Sequence, residues 1–484
     1  MSAGTLSARE ATLLVAGDWR HAEKHYEVRS PATGETVGVA DDAGTDDARA
    51  AVDAAAEAAE AWSALAPERR SAILRAAASA IRTDSDELAL LLCRESGKPL
   101  GEARGELLSG AAAVEWAAEE GRRTDGRLVS LGGGRRGMVL KQPVGITVAV
   151  SPWNFPASMF LRKVALALAA GCTAVAKPAE QTPLIARALV ERFAAAGCPE
   201  GVLNLLTTTR PDPLVRTLLA DPRVAKLSFT GSTEVGLTLL RRGDGLLKRV
   251  ALELGGHAPA IVLEDADVEA AVAGVIASKF RNCGQSCIAT NRLYVHDSLH
   301  DRFCTALLDA VAGLRVGPGT EEGVDVGPLI DEPALRKIEA QVADALRHGA
   351  RALAGGRRLT DGALGRGWFF APTVLTGVAE SALLAREEIF GPVLPVFSFT
   401  DEQDVLTKAN ATEYGLAAYL YGTDVARMWR MAERLRFGVV GVNDPFPLAP
   451  ELPFGGMKNS GLGREGGLEG IEGFLETKAV ALHV

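Results

Sequence analysis

The hydrophobic rhythm of the chain changes near residue 138. Between 46 and 121, apolar residues recur every three or four positions in Ala-, Glu- and Arg-rich stretches such as DARAAVDAAAEAAEAWSAL and ERRSAILRAAASAIR. That period predicts helices with one apolar face. A Gly- and Arg-rich segment at 125–137, DGRLVSLGGGRRG, breaks the pattern. Short β-rich runs follow: MVLKQP, VGITVAVSP, TAVAKP, LNLLTT and AKLSFTG. Helical patterns, FLRKVALALAAG and PLIARALVERFAAAG, lie between them. Strand–helix–strand alternation predicts a parallel, doubly wound sheet. A second alternating block starts near Gly255 with APAIVL, an Ala-rich helix over 267–280 and RLYVH, and continues to strands near 393–399 and 438–442. The closing FLETKAVALHV reads as an edge strand.

Composition narrows the class. The chain has 484 residues, enough for two or three cores, with 47% hydrophobic and 23% charged residues. A net charge of −9 excludes a phosphate-tracking nucleic-acid binder. MSAGTLSARE lacks the basic and apolar regions of a secretory leader. The longest apolar run, VALALAAGCTAVA at 164–176, is too short for a membrane span and reads as a buried helix running into a strand. The six cysteines (93, 172, 198, 283, 287, 304) read as reduced thiols of a cytoplasmic protein. His296 and His300 share a helical spacing without a third ligand, so no metal is expected.

Two GxGxxG matches, at Gly132-Gly134-Gly137 and Gly461-Gly463-Gly466, follow no apolar strand and read as turns. LSFTGSTEVG at 227–236 is the better phosphate candidate: a β-run stops at Gly231 and a hydroxyl-bearing segment opens a helix. Cys287 in GQSC, Glu253 in LELGG and Asn154 in PWNFP supply a thiol, a carboxylate and an amide, each beside Gly, Pro or Trp. Together they suggest covalent chemistry on a carbonyl.

SPWNFP, KPAEQTP, FTGSTEVG, LELGGHAP, GQSC, EEIFGPV and PFGGMKNSG occur in that order. With them the chain closely resembles the aldehyde dehydrogenase superfamily over roughly residues 15–480, and is nearest in motif to succinate-semialdehyde dehydrogenases. The resemblance implies an α/β fold with a Rossmann-like cofactor domain (1–124 and 144–255), an α/β catalytic domain (256–455) and a small β oligomerisation arm (125–143 and 466–484). It implies Cys287 as nucleophile, Asn154 as oxyanion donor and Glu253 as the base for hydrolysis, since CoA-acylating relatives generally lack that carboxylate. It also brings in Lys163 and Glu465 as proton-relay or shaping residues. For the cofactor it implies Ser151, Trp153, Lys177, Glu180, Gly231, Ser232, Leu254, Glu388 and Phe390. A carboxylate at Glu180 accepts ribose hydroxyls and repels a 2′-phosphate, so NAD is expected, with NADP the weaker alternative.

Arg162 and Arg281 match arginines that bind a distal carboxylate in succinate-semialdehyde dehydrogenases, and Phe454 joins them as a substrate residue. Guanidinium groups stay charged and grip carboxylates bidentately. The loop NDPFPLAPELPFGG lacks the serine usual near Leu448–Ala449, and Cys287 is followed by Ile288-Ala289 without a second cysteine. The expected substrate is therefore a short aldehyde with a distal anion, succinate semialdehyde first. Glutarate semialdehyde, lactaldehyde or a sulfonated aldehyde are alternatives, as is broad aldehyde detoxification. A catalytically dead binding relative is disfavoured by the intact Cys287, Glu253 and Asn154. The resemblance also implies a homodimer or homotetramer, with the hairpin near 125–143 and the C-terminal strand pairing across subunits.

Overall fold

The computed structural model describes residues 10–241 and 247–483. The leader reading of MSAGTLSARE therefore falls almost wholly outside the described residues. The helical-period segment forms four helices: Thr45–Ala64, Pro67–Thr83, Ser85–Ser96 and Leu100–Glu120. Pro67 opens the second, where its missing N–H costs nothing, and Gly97 in the left-handed region closes the third. Among the described residues no helix is long and apolar enough to cross a membrane.

The first large sheet has eight strands. Its five central strands, in the order Arg249–Glu253, Val224–Thr230, Ile146–Val150, Thr173–Lys177 and Leu203–Leu205, are parallel. Ile146–Val150 and Thr173–Lys177 are buried along their whole length because both faces are covered. The outer strands are antiparallel: Leu13–Val15 and Asp18–Arg20 at one edge, Gly461–Leu462 at the other. The sheet is thus mixed rather than wholly parallel. Edge strands of two or three residues are too short to show a period, so the alternation pattern passes over them.

The second sheet has seven strands, Arg351–Ala354, Thr373–Thr376, Val393–Phe399, Thr290–His296, Ala258–Val262, Ala417–Tyr421 and Val439–Val442. All its pairings are parallel except that of Arg351–Ala354. A three-stranded antiparallel sheet joins Arg127–Gly132, Arg135–Pro143 and Leu475–His483. Gly132, Gly133 and Gly134, all at positive φ, make its hairpin turn.

The small β arm forms within the chain, and one domain boundary shifts. The C-terminal strand pairs along one edge with the hairpin of its own chain, with Leu475 opposite Pro143 and His483 opposite Arg135. Nine consecutive partners on the same chain satisfy that edge locally. Residues 466–474, assigned to the arm, instead lie on the first large sheet's layer. Helix Gly467–Glu472 packs on helix Pro156–Ala170, and Ile471 and Phe474 are buried in the same core.

Candidate active site

Parallel strands end on the same side of a sheet, so the loops that follow them converge. Ser151–Asn154, Gly231–Ser232 and Leu254–Gly255 follow three neighbouring strands of the first sheet. Facing them from the second sheet's side are Arg281–Ile288 and Glu388–Phe390. A cavity of about 590 Å³ lies between. Of the residues named from sequence, Cys287, Asn154, Trp153, Gly231, Ser232 and Leu254 line it, as do Glu388, Phe390, Arg162, Arg281 and Phe454. Glu253, Lys163, Glu465, Ser151, Lys177 and Glu180 do not form its wall.

The thiol rides on a strained turn. Helix Val268–Phe280 stops at Arg281, and Asn282 (φ +51°) and Cys283 (φ +58°) then adopt left-handed backbone. Each costs about 1–2 kcal/mol for a residue with a Cβ. Buried hydrogen bonds hold it. The Asn282 N–H donates to Glu102 Oε2 at 2.8 Å, and its side-chain amide donates to the Asn154 carbonyl at 2.9 Å. Gln285 donates to the Asn282 carbonyl at 3.1 Å and accepts from the Ile330 N–H at 2.8 Å. Asn154 Nδ2 donates to the Gln285 carbonyl at 3.1 Å, which aims the amide at the cysteine loop and leaves its second N–H for a substrate oxygen. Lys98 donates to the Asn154 carbonyl at 2.8 Å and pairs with Glu106. Glu106 in turn accepts the N–H groups of Ala157 and Ser158, the open start of helix Pro156–Ala170.

The motif glycines are positions where backbone meets backbone. A Cβ on Gly256 would lie 2.1 Å from the Cys287 carbonyl oxygen. One on Gly284, at φ +71°, would lie 2.2 Å from the Gly391 carbonyl oxygen. Three motifs, LELGG, GQSC and EEIFGPV, interlock through these two contacts.

Burial dominates the electrostatics. The Cys287 thiol is pushed up to about 12, first by burial and then by Glu388 and Glu253, with Arg281 opposing. It is therefore protonated at neutral pH in the ligand-free protein. Glu388, held at about 7 by burial, accepts the Gly256 N–H at 2.8 Å. Both oxygens of Glu253 are buried without a hydrogen bond. Burial and Glu465 raise its carboxyl well above the usual range, against Lys163, Arg464 and Arg162. Its carboxylate lies toward Gly455, where a Cβ would come within 2.7 Å of Oε1. Lys163 and Glu465 form a fully buried ion pair behind the cavity.

At one end of the cavity, Gly231 and Ser232 open helix Thr233–Arg241 after strand Val224–Thr230, and Ser232 Oγ accepts the Val235 N–H. Trp153 and Phe390 meet edge to face at 5.5 Å. Lys177 is buried and pairs with the half-exposed Glu180 at 3.3 Å. Helix-start N–H groups, carboxylates and a flat aromatic wall fit a dinucleotide. At the other end stand the two arginines. Arg162 is buried, with its guanidinium 5.7 Å from the Phe454 ring. Arg281 is sandwiched between Phe155 and Phe446, at 4.8 and 4.7 Å. Among the described residues neither guanidinium has a hydrogen-bond or ion-pair partner.

A model described as the aldehyde dehydrogenase family matches residues 19–480. The chain belongs to the aldehyde dehydrogenase family. An NADP-dependent succinate-semialdehyde dehydrogenase of Escherichia coli is 47% identical over 97% of both chains. A glutarate-semialdehyde dehydrogenase of Pseudomonas putida is 46% identical, again over 97% of each. The solved structure of a succinate-semialdehyde dehydrogenase from Burkholderia pseudomallei superposes with a TM-score of 0.97 at 45% identity, covering 100% of both chains. Aldehyde dehydrogenases are oxidoreductases that use NAD(P).

Sequence reading of this aldehyde dehydrogenase gives no role to Glu102, Phe155 or Phe446, which line the cavity together with Leu448. Phe446 and Leu448 stand in the very loop noted for its missing serine, so the loop offers apolar surface there. Glu102 carries no motif signal; only the fold brings its helix to the cysteine turn.

Glu388→Gln removes the charge that, after burial, most raises the Cys287 thiol. Its pKa should fall, so iodoacetamide should label Cys287 of the ligand-free variant about 3- to 10-fold faster than wild type at pH 8.5, read by mass spectrometry. Unchanged labelling would show that Glu388 does not act on the thiol.

Proposed function

We propose that this enzyme oxidises a short aldehyde bearing an anion at its far end, succinate semialdehyde first, to the free acid, with NAD as acceptor. The observation that carries the reading is the pair of unpartnered guanidinium groups facing the cavity that holds Cys287. Arg162 is buried, and a buried charge without a partner is costly, so the pocket is arranged for one that arrives with the substrate. Stacking of Arg281 between two rings covers its faces and leaves its N–H edge for a carboxylate.

The aldehyde binds with its far anion on Arg162 and Arg281 and its carbonyl carbon at Cys287 Sγ. The thiol adds to that carbon as its proton passes to water in the cavity. The Asn154 amide and the Cys287 backbone N–H hold the oxyanion, each donor being worth about 3 kcal/mol. Trp153, Glu388 and Phe390 would hold a nicotinamide, which would supply the hydride acceptor when bound; loss of hydride turns the Cys287 adduct into a thioester. Glu253, rotated from its place near Gly455, takes a proton from water, which attacks the thioester and frees the acid. Lys163 and Glu465 keep that carboxylate's surroundings charge-balanced.

NAD is assigned on Glu180, whose carboxylate opposes a 2′-phosphate, although the E. coli relative carries NADP in its name. Ser151 and Lys177 stand with it at strand ends as cofactor residues. A second reading is glutarate semialdehyde, one methylene longer. It is favoured by the P. putida relative and by the apolar Phe446 and Leu448 in the loop without a serine. A homodimer or homotetramer is assigned on the arm sheet, which exposes Leu128 and Leu482. Six free cysteines support a reducing, cytoplasmic compartment.

Three outcomes test the reading. Glu253→Gln should release about one NADH per site and then slow by a factor of 100 or more; a normal steady state would sink the hydrolytic step. Arg281→Ala should lower kcat/KM for succinate semialdehyde by about 100-fold and for hexanal far less, whereas equal losses would make Arg281 structural. Glu180→Ser should move the NAD-to-NADP ratio of kcat/KM toward NADP by about tenfold, and an unmoved ratio would remove Glu180 from cofactor choice.

A further inference from the structure

Glu102 lies in the first turn of helix Leu100–Glu120, far in sequence from every motif of the site. Its side chain nevertheless reaches the cavity wall beside Arg281. One carboxylate oxygen accepts the Asn282 N–H at 2.8 Å, the backbone group immediately after Arg281 and the first of the two left-handed residues. The charged groups around it come from three elements. Lys98 precedes its helix, Glu106 is one turn along, and Arg281 and Cys283 lie on the cysteine turn. Burial holds its carboxyl up to about 7, opposed by Lys98 and Arg281.

The placement has an electrostatic consequence. Arg162 and Arg281 would hold any short anion, including the acid product, which carries one more negative charge than the aldehyde. A pocket with nothing but positive charge would bind product more tightly than substrate. A carboxylate in the same wall reduces that difference, because its repulsion acts more strongly on the dianion than on the monoanion.

We propose that Glu102 is a positioning and charge-balancing residue of the substrate pocket: it pins the turn that carries Arg281, and its carboxylate limits how tightly the pocket holds anions. The inference rests on the reading of the cavity as one for an anion-bearing aldehyde.

The two roles separate by substitution. Glu102→Gln keeps an oxygen for the Asn282 N–H and removes the charge. Glu102→Met removes both, and serves as the second charge-free variant if the first does not fold. At pH 8.5, where the wild-type carboxyl is ionised, inhibition by succinate is measured against the aldehyde in the full-length enzyme. Glu102→Gln should lower the succinate inhibition constant about tenfold and raise the succinate-semialdehyde-to-hexanal ratio of kcat/KM. Glu102→Met should show the same tighter inhibition with a kcat that falls on both aldehydes, because the turn loses its anchor. A succinate constant that is unchanged or weaker in either folded charge-free variant overturns the proposal. Arg281→Ala is the control. If it too leaves succinate inhibition unmoved, the anion-pocket reading fails. If it weakens inhibition while the Glu102 variants do not strengthen it, Glu102 alone is misassigned.

Discussion

The left-handed turn at Asn282 and Cys283 costs about 1–2 kcal/mol per residue, and the buried hydrogen bonds of the site are arranged around it. It stops helix Val268–Phe280 so abruptly that Arg281 and Cys287 face one cavity, although a continued helix would carry them to different places. Gln285 closes the turn on itself, Glu102 accepts its Asn282 N–H, and Asn154 ties it to the first sheet. The residue assigned to hold the oxyanion is therefore also a structural fastener for the residue assigned to form it. Such an arrangement fixes thiol and amide relative to each other without relying on either sheet alone.

The second constraint is charge in a dry place. Lys163 and Glu465 neutralise each other behind the cavity, while Glu253, Arg162 and Lys279 include buried polar atoms without a hydrogen-bond partner. Burial lowers Lys279 to about 7 and raises Cys287 to about 12, so both are driven toward their neutral forms. Unsatisfied buried groups gathered in one region are a stability cost that an ordinary core avoids. Of these, Arg162 lines the cavity, where an anion would complete it, while Glu253 and Lys279 lie behind the wall. The guanidinium pair, the free carboxylate and the protonated thiol are three parts of one unfinished electrostatic arrangement.

Packing explains why the motifs look as they do. Gly256 and Gly284 are glycines because the Cys287 and Gly391 carbonyls occupy the space of a side chain. Gly455 is one because the Glu253 carboxylate does. Each glycine marks a crossing of two segments distant in the chain, so the motifs are the seams along which those segments meet.

The order of the motifs alone was enough to name the family, and the two periodicities located the helices and the central strands. The thiol, the amide and the two arginines were legible because each sits in a short run of unusual residues. The sequence was silent on the short antiparallel edge strands, whose two or three residues carry no period, and on which segment the C-terminal strand meets within its own chain. Only the tertiary structure showed that this strand closes on its own hairpin, that Glu253 is turned away from the cavity wall, and that Glu102 meets the cysteine turn. Those facts are contacts between segments far apart in the chain, and local pattern records a residue's neighbours along the chain, not the ones that folding brings to it.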